Sequence, residues 1–225
     1  MNLAGILARF CLTSTLSVVI STHALGQAPI EFTVSEARIS FVTTEHNISI
    51  PKPLWAQSSR TAGSFKRATS ISVLQPNAQT ALIEFIPYDE TFDTWTQMSG
   101  VLVVNDPDFP VSAHEASIAH AFETNCKKGA LMLERVPPLE AGFLPSLMAV
   151  CAEFRTDGVA TGIGLGEVLI AIVLDSPNGA AKIFEEWRGP TFDLLNKRTW
   201  PIGEHELLTR MVRMQGQISF TKLKQ

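Results

Sequence analysis

The sequence predicts an α+β protein: a largely antiparallel sheet of about seven strands flanked by two or three helices and carrying one disulfide. Three observations predict it. Short apolar runs, alternating or β-branched, are separated by Pro, Asn and Gly. Two stretches, 112–126 and 204–215, carry apolar residues at helical spacing. No βαβ unit repeats, and hairpin signals dominate.

The first residues stand apart. A secretory signal needs a basic start, an apolar run and small residues at the cut. Arg9 supplies the charge, Phe10 to Ile20 the run, and Ala24-Leu25-Gly26 the small residues. The run is shorter than the roughly 20 apolar residues that cross a bilayer. Residues 1–26 therefore read as a cleavable signal, with a retained anchor helix as the alternative. Cys11 lies at the beginning of the run, where no lipoprotein cysteine belongs, and leaves with the signal.

Residues 27–225 read as a single α+β domain, long enough to bury a core. Of 18 Lys and Arg only Arg9 is lost with the signal, so 17 cations face 22 acids, a net of −5. That balance opposes nucleic-acid binding, which wants a basic face. No later segment is apolar enough to span a membrane as a helix. Two cysteines remain, Cys126 and Cys151. In an oxidising compartment a lone pair reads as a disulfide, with two buried thiols as the alternative.

The strands follow in order. Glu36–Val42 alternates, and Asn47–Ile50 follows before Pro51 and Pro53 stop it. Residues 51–69, rich in Pro, Ser and basic residues, read as a long connection. Ile71–Leu74 is a short strand, ended by turn chemistry at Gln75-Pro76-Asn77. Ala81–Ile86 and the β-branched Gly100–Asn105 are strands, and one or two helical turns are expected across Asp89–Met98.

The first strong helix opens with Ser112 and Glu115, which match a capping box. Ile118, Ala119, Phe122 and Cys126 share one face, and Gly129 can take a left-handed cap. Strands at 131–136 and 146–154 come next, with Cys151 in mid-strand, so the disulfide would pin the helix to the sheet. Val168–Leu174 and Ala180–Trp187 flank Ser176-Pro177-Asn178-Gly179, a hairpin signal. Glu204–Gln215 is the last helix, with Leu207, Leu208, Met211 and Val212 on one face and Gly216 beyond it.

Some of these residues are familiar as a set. Ile86-Pro87 through Glu90-Thr91 to Trp95-Thr96, the two cysteines, Gly166-Glu167-Val168 and Glu186-Trp187-Arg188 resemble small exported proteobacterial proteins of unassigned activity. The resemblance covers about residues 80–190. It implies a fold similar to the Mog1/PsbP type, an antiparallel sheet flanked by helices, and brings no catalytic residues with it.

No chemical motif stands out. His114 and His120 lie six apart, about 600° of helix rotation, so their rings point about 120° from one another, unlike a zinc-protease pair. Thr161–Gly166 (TGIGLG) lacks the lysine of a phosphate loop and runs into a strand. There is no Gly-x-Ser-x-Gly elbow. Glu185 and Glu186 fall on opposite faces of their strand, so they form no dyad. Trp55, Trp95, Trp187 and Trp200 read as core or rim aromatics, with the lining of a binding groove as the alternative. Asn47-Ile48-Ser49 matches a glycosylation acceptor triplet, which matters only in a eukaryotic secretory path.

The expectation is thus a periplasmic or secreted protein with no catalytic, cofactor or metal residues assigned and Cys126–Cys151 as its one covalent feature. Its expected role is non-enzymatic: binding a protein or envelope partner, or assisting its assembly. The alternatives are a hydrolase with an unrecognised carboxylate site, for which Asp89, Glu90 and Asp93 beside Trp95 are the first candidates, and a small-ligand carrier.

Overall fold

A computed structural model describes residues 31–43, 46–77, 79–155, 165–176 and 178–222. The signal at 1–26 and Thr161–Gly164 of the glycine run lie outside the described residues.

The architecture is α+β, as the patterning predicts. Two all-antiparallel sheets face each other. The smaller is built from β1 (Glu31–Val34), β2 (Arg38–Val42), β3 (His46–Pro51) and β11 (Ser219–Lys222), in that spatial order. The larger contains β4 (Thr69–Asn77), β5 (Thr80–Pro87), β6 (Gln97–Val104), β7 (Leu131–Val136), β8 (Ser146–Cys151), β9 (Gly166–Ser176) and β10 (Gly179–Gly189). Its order is β4-β5-β6-β10-β9-β8-β7. Three α-helices complete the described fold: α1 (Ala62–Ala68), α2 (Val111–Asn125) and α3 (Glu204–Gln217).

The large sheet is buried on both faces. On one, Ile83, Phe85, Val101, Val103, Ile170 and Ile183 pack with Ile39, Phe41, Ile48 and Ile50 of the small sheet and Leu207, Met211 and Met214 of α3. On the other, Leu82, Leu102, Leu169, Ala171 and Phe184 pack with Ile118 and Phe122 of α2. Central strands covered twice lose the polar-out alternation of a half-exposed sheet. That is why β6 reads as continuous apolar sequence.

The β9–β10 hairpin forms where Asn178-Gly179 marks it, with Ser176 opposite Gly179. Gly179 is needed there. Its φ is +141°, and a Cβ would stand 1.9 Å from the Val104 carbonyl oxygen. The disulfide forms as expected: Cys126 and Cys151 are bonded with Cα atoms 5.6 Å apart, and both are buried. Cys126 directly follows α2. Cys151 is the last residue of β8 rather than mid-strand, because the chain leaves the ladder there and Phe154 instead bridges to Cys126.

Several local expectations are corrected. The connection at 51–69 contains a 3-10 turn, Leu54–Ala56, and all of α1. Thr61 and Ser64 close a capping box on α1, and Phe65 anchors it in the core. Conversely, Ser112 and Glu115 form no box. Pro110, at φ −74°, is the N-cap of α2, two residues ahead of Ser112, with no side-chain cap, and Glu115 pairs with Arg135 on β7. The expected helical turns at 89–98 are absent: the segment is a turn-rich loop that enters β6 at Gln97. β4 runs past Gln75-Pro76 to Asn77, with its register broken between Leu74 and Asn77, where proline cannot donate to the ladder. Gly129 does adopt a positive φ, +84°, but in the turn after α2 rather than as its cap. Gly216 lies inside the last turn of α3, where a Cβ would stand 2.5 Å from the Phe143 ring.

Candidate functional site

The central strands carry charges where the pattern asks for apolar side chains. β5 holds Glu84, β9 holds Glu167, and β10 holds Lys182, Glu185, Glu186 and Arg188. Alternation sorts them onto the two faces.

Glu185 points toward α3. There Arg210 grips it with two parallel N–H donors, Nε at 2.7 Å and Nη2, and Nη1 donates to the Lys52 carbonyl at 2.9 Å. Arg210 is wholly buried. The bidentate geometry is what makes such a pair tolerable away from water. Lys52 is buried too, and its ammonium donates to the carbonyls of Gln57 and Ser59. This cluster ties α3, the large sheet and the segment before α1 together.

The other charges share the face that α2 covers. Register sets their places. Glu84 lies opposite Gly100, and Gly100 opposite Phe184. The Phe184 ring reaches across β6 because Gly100 has no side chain: a Cβ there would meet the ring at 2.2 Å. Lys182 and Glu186 flank Phe184 along β10, two residues to either side, and the Lys182 ammonium sits 4.7 Å from the ring centroid. Arg188 is opposite Glu167, to which its Nε donates at 2.6 Å. Its guanidinium also lies 3.8 Å from the centre of the Trp95 ring.

Glu167, Lys182 and Glu186 are buried, and Glu84 is half-buried. Burial pushes the Glu84 carboxyl up to about 7, against the pull of Lys182 and Arg188. Burial, then the charge of Glu167, pushes Glu186 up to about 8. At pH 7 Glu186 is thus mostly neutral and Glu84 partly so, and a neutral carboxyl can donate a hydrogen bond or a proton.

No protein-family model, curated protein or solved structure matches this chain.

The residues singled out by sequence are not brought together here. Glu90 turns back on its own loop, accepting the Thr96 amide at 2.7 Å and the Thr96 hydroxyl, while Asp89 and Asp93 are exposed. Trp95, Trp187 and Trp200 are buried and Trp55 is half-buried. Trp200 donates to the Asp193 carbonyl at 3.2 Å. Asn47 is exposed in the middle of the β2-β3-β11 ladder. The glycine run does lead into a strand, since Gly166 opens β9. Among the described residues no helix is long and apolar enough to cross a membrane.

His114 and His120 diverge as their spacing predicts: one is buried, the other exposed. Among the described residues, no group of three or more His, Cys, Asp or Glu could hold a metal ion. The His114 ring centre lies 4.9 Å from that of Phe109. Burial, then the charge of Lys182, lowers its pKa to about 4. The folded protein thus holds it neutral, while the unfolded chain protonates it below its ordinary 6.5. Its contribution is complete above 6.5 and is lost as pH falls toward 4, at up to about 1.4 kcal/mol per pH unit. Urea midpoints at about pH 7 and pH 5 should therefore lie closer together in His114→Leu than in the wild type.

Sequence reasoning missed Glu84 and Lys182 altogether. It met Glu167 and Arg188 only within the motifs of the resemblance, and Glu186 there and as half of a rejected dyad with Glu185. The available signal was a charge inside an otherwise apolar run: Glu84 in ALIEFI, Glu167 at the head of EVLIAIV, Lys182 in AAKIF. What the sequence lacked was the register that makes them neighbours.

Proposed function

We propose that the chain is exported on residues 1–26, and that its mature domain acts in the periplasm or outside the cell as a non-enzymatic module. In this reading it binds a protein or envelope partner, or assists its assembly. The observation that carries the reading is the disulfide. It joins the end of α2 to the sheet within a small apolar core that includes Trp95, Phe122 and Phe154. Such bonds persist where thiols are not kept reduced. The exported proteins that the sequence resembles point the same way. Tyr88 and Phe92, exposed on the 88–96 loop, are the kind of side chain that protein interfaces favour.

A carboxylate-dependent hydrolase is the second reading, favoured by the raised proton affinity of Glu84 and Glu186. One assay separates the two. Oxidised mature protein is offered generic esters, peptides and glycans, alongside Glu84→Gln and Glu186→Gln. The binding reading expects the three preparations to be equally inert. Turnover by the wild type that both variants lose would replace it with the hydrolase.

A further inference from the structure

We propose that the charged cluster on the α2 side of the large sheet is a pH-responsive latch for the 88–96 loop: a proton resident on the Glu84–Glu186 side keeps Arg188 on Trp95 and Glu167, and release of that proton to solvent draws Arg188 toward Glu186 and loosens the loop. The inference goes beyond the binding reading and stands whichever reading of function holds.

Among the described residues, three carboxylates, Glu84, Glu167 and Glu186, share this face with two cations, Lys182 and Arg188. The elements packed around them bring little further charge. α2 contributes His114, buried and uncharged at neutral pH. The loop contributes Glu90, which is bound to Thr96. Gly100 of β6 and Ser72 of β4, opposite Glu84, bring none. Three ionised acids would leave one negative charge uncompensated in the interior, which is costly. A bound proton removes it.

Register says which acid holds the proton. Glu167 is directly opposite Arg188 and hydrogen-bonded to it. Glu186 is opposite Leu169. It is therefore a diagonal neighbour of Glu167, about 7–8 Å away by sheet geometry. An ionised Glu186 would meet a like charge there, and the nearest cation on the same side is the one already shared by Glu167 and Trp95.

Arg188 is the moving part because it is also the clasp of the loop. Its guanidinium covers Trp95, and its amide donates to the Thr96 carbonyl at 2.8 Å. Any charge that competes for that guanidinium competes with the loop's hold on the sheet. Linkage fixes the direction. Folding raises the affinity of Glu84 and Glu186 for protons, so their contribution is greatest in acid and is lost as pH rises through about 7 and about 8.

The test uses the oxidised mature chain between about pH 6 and about pH 10, a range that brackets ionisation of the Glu84–Glu186 pair. Infrared difference spectra should show the carbonyl band of a protonated carboxylic acid at the acid end, lost at the alkaline end. Amide exchange across residues 88–96, corrected for the intrinsic effect of pH, should rise at least about tenfold over the same range, with Trp95 emission changing in step. Glu186→Gln, a neutral isostere, should hold the loop closed throughout. If that variant fails to fold, the wild-type band and exchange profile decide alone. Absence of the acid band near pH 7, corrected exchange that stays flat, or an unaltered transition in Glu186→Gln would each overturn the latch.

Discussion

Replacing Arg210 with methionine should destabilise the protein by roughly 3–5 kcal/mol, the usual cost of orphaning a buried charge. The substitution leaves the Glu185 carboxylate in the interior without the two N–H donors that now hold it, and leaves the Lys52 carbonyl without its donor. Removing both charges should cost much less. Arg210→Met with Glu185→Leu fills the same space with apolar side chains, and double replacements of this kind are often close to neutral. Urea unfolding of the wild type, both single variants and the double variant gives the coupling energy directly. Additive losses in the double variant would mean that the pair does not act as a unit. The effect should be global, because Arg210 joins α3 to β10 and to the segment that precedes α1.

The second large effect belongs to the disulfide. Cys126 and Cys151 are 25 residues apart, so the chain-entropy account assigns the cross-link about 3.5 kcal/mol. Cys126→Ala with Cys151→Ala should lower stability by that order and bring the thermal midpoint down by several degrees. Reductant should bring the wild type to nearly the same midpoint, offset only by the two small cavities that the alanines leave. A double variant as stable as the oxidised wild type would show that packing of Ile118 and Phe122 alone holds α2 in place.

Patterning made much of this fold legible. β7, the β9–β10 hairpin and both long helices appear where spacing puts them, because each carries its own turn or its own apolar face. The misses have physical reasons. α1 contains Gly63 and Ser64, poor helix formers, and owes its existence to the Thr61–Ser64 box and to Phe65 in the core. β1 and β11 are four-residue strands that close the small sheet from opposite ends of the described chain. Nothing local marks the pairing of β11 with β3. Glu115 satisfied a capping rule on paper but found Arg135, twenty residues away, in space.

The candidate site was the least legible part. Glu185-Glu186 reads as a polar dipeptide, yet one carboxylate serves a core ion pair and the other joins a cluster on the opposite face of the sheet. Alternation predicts the split. It does not predict that Glu84, Glu167, Lys182 and Arg188 arrive on the same face, since that depends on the register of β5, β9 and β10, which only the assembled sheet fixes. Gly100 is a similar case: its lack of a side chain is what admits the Phe184 ring over β6.

Underneath every functional statement lies export followed by oxidation, and one determination on protein taken from its own host tests both. Mass spectrometry of the intact chain, with and without alkylation, gives the first residue and the thiol state together. We expect the protein to begin at Gln27 and to take up no alkylating agent until it is reduced. A chain that still starts at Met1, with Cys126 and Cys151 open to alkylation, would contradict the account.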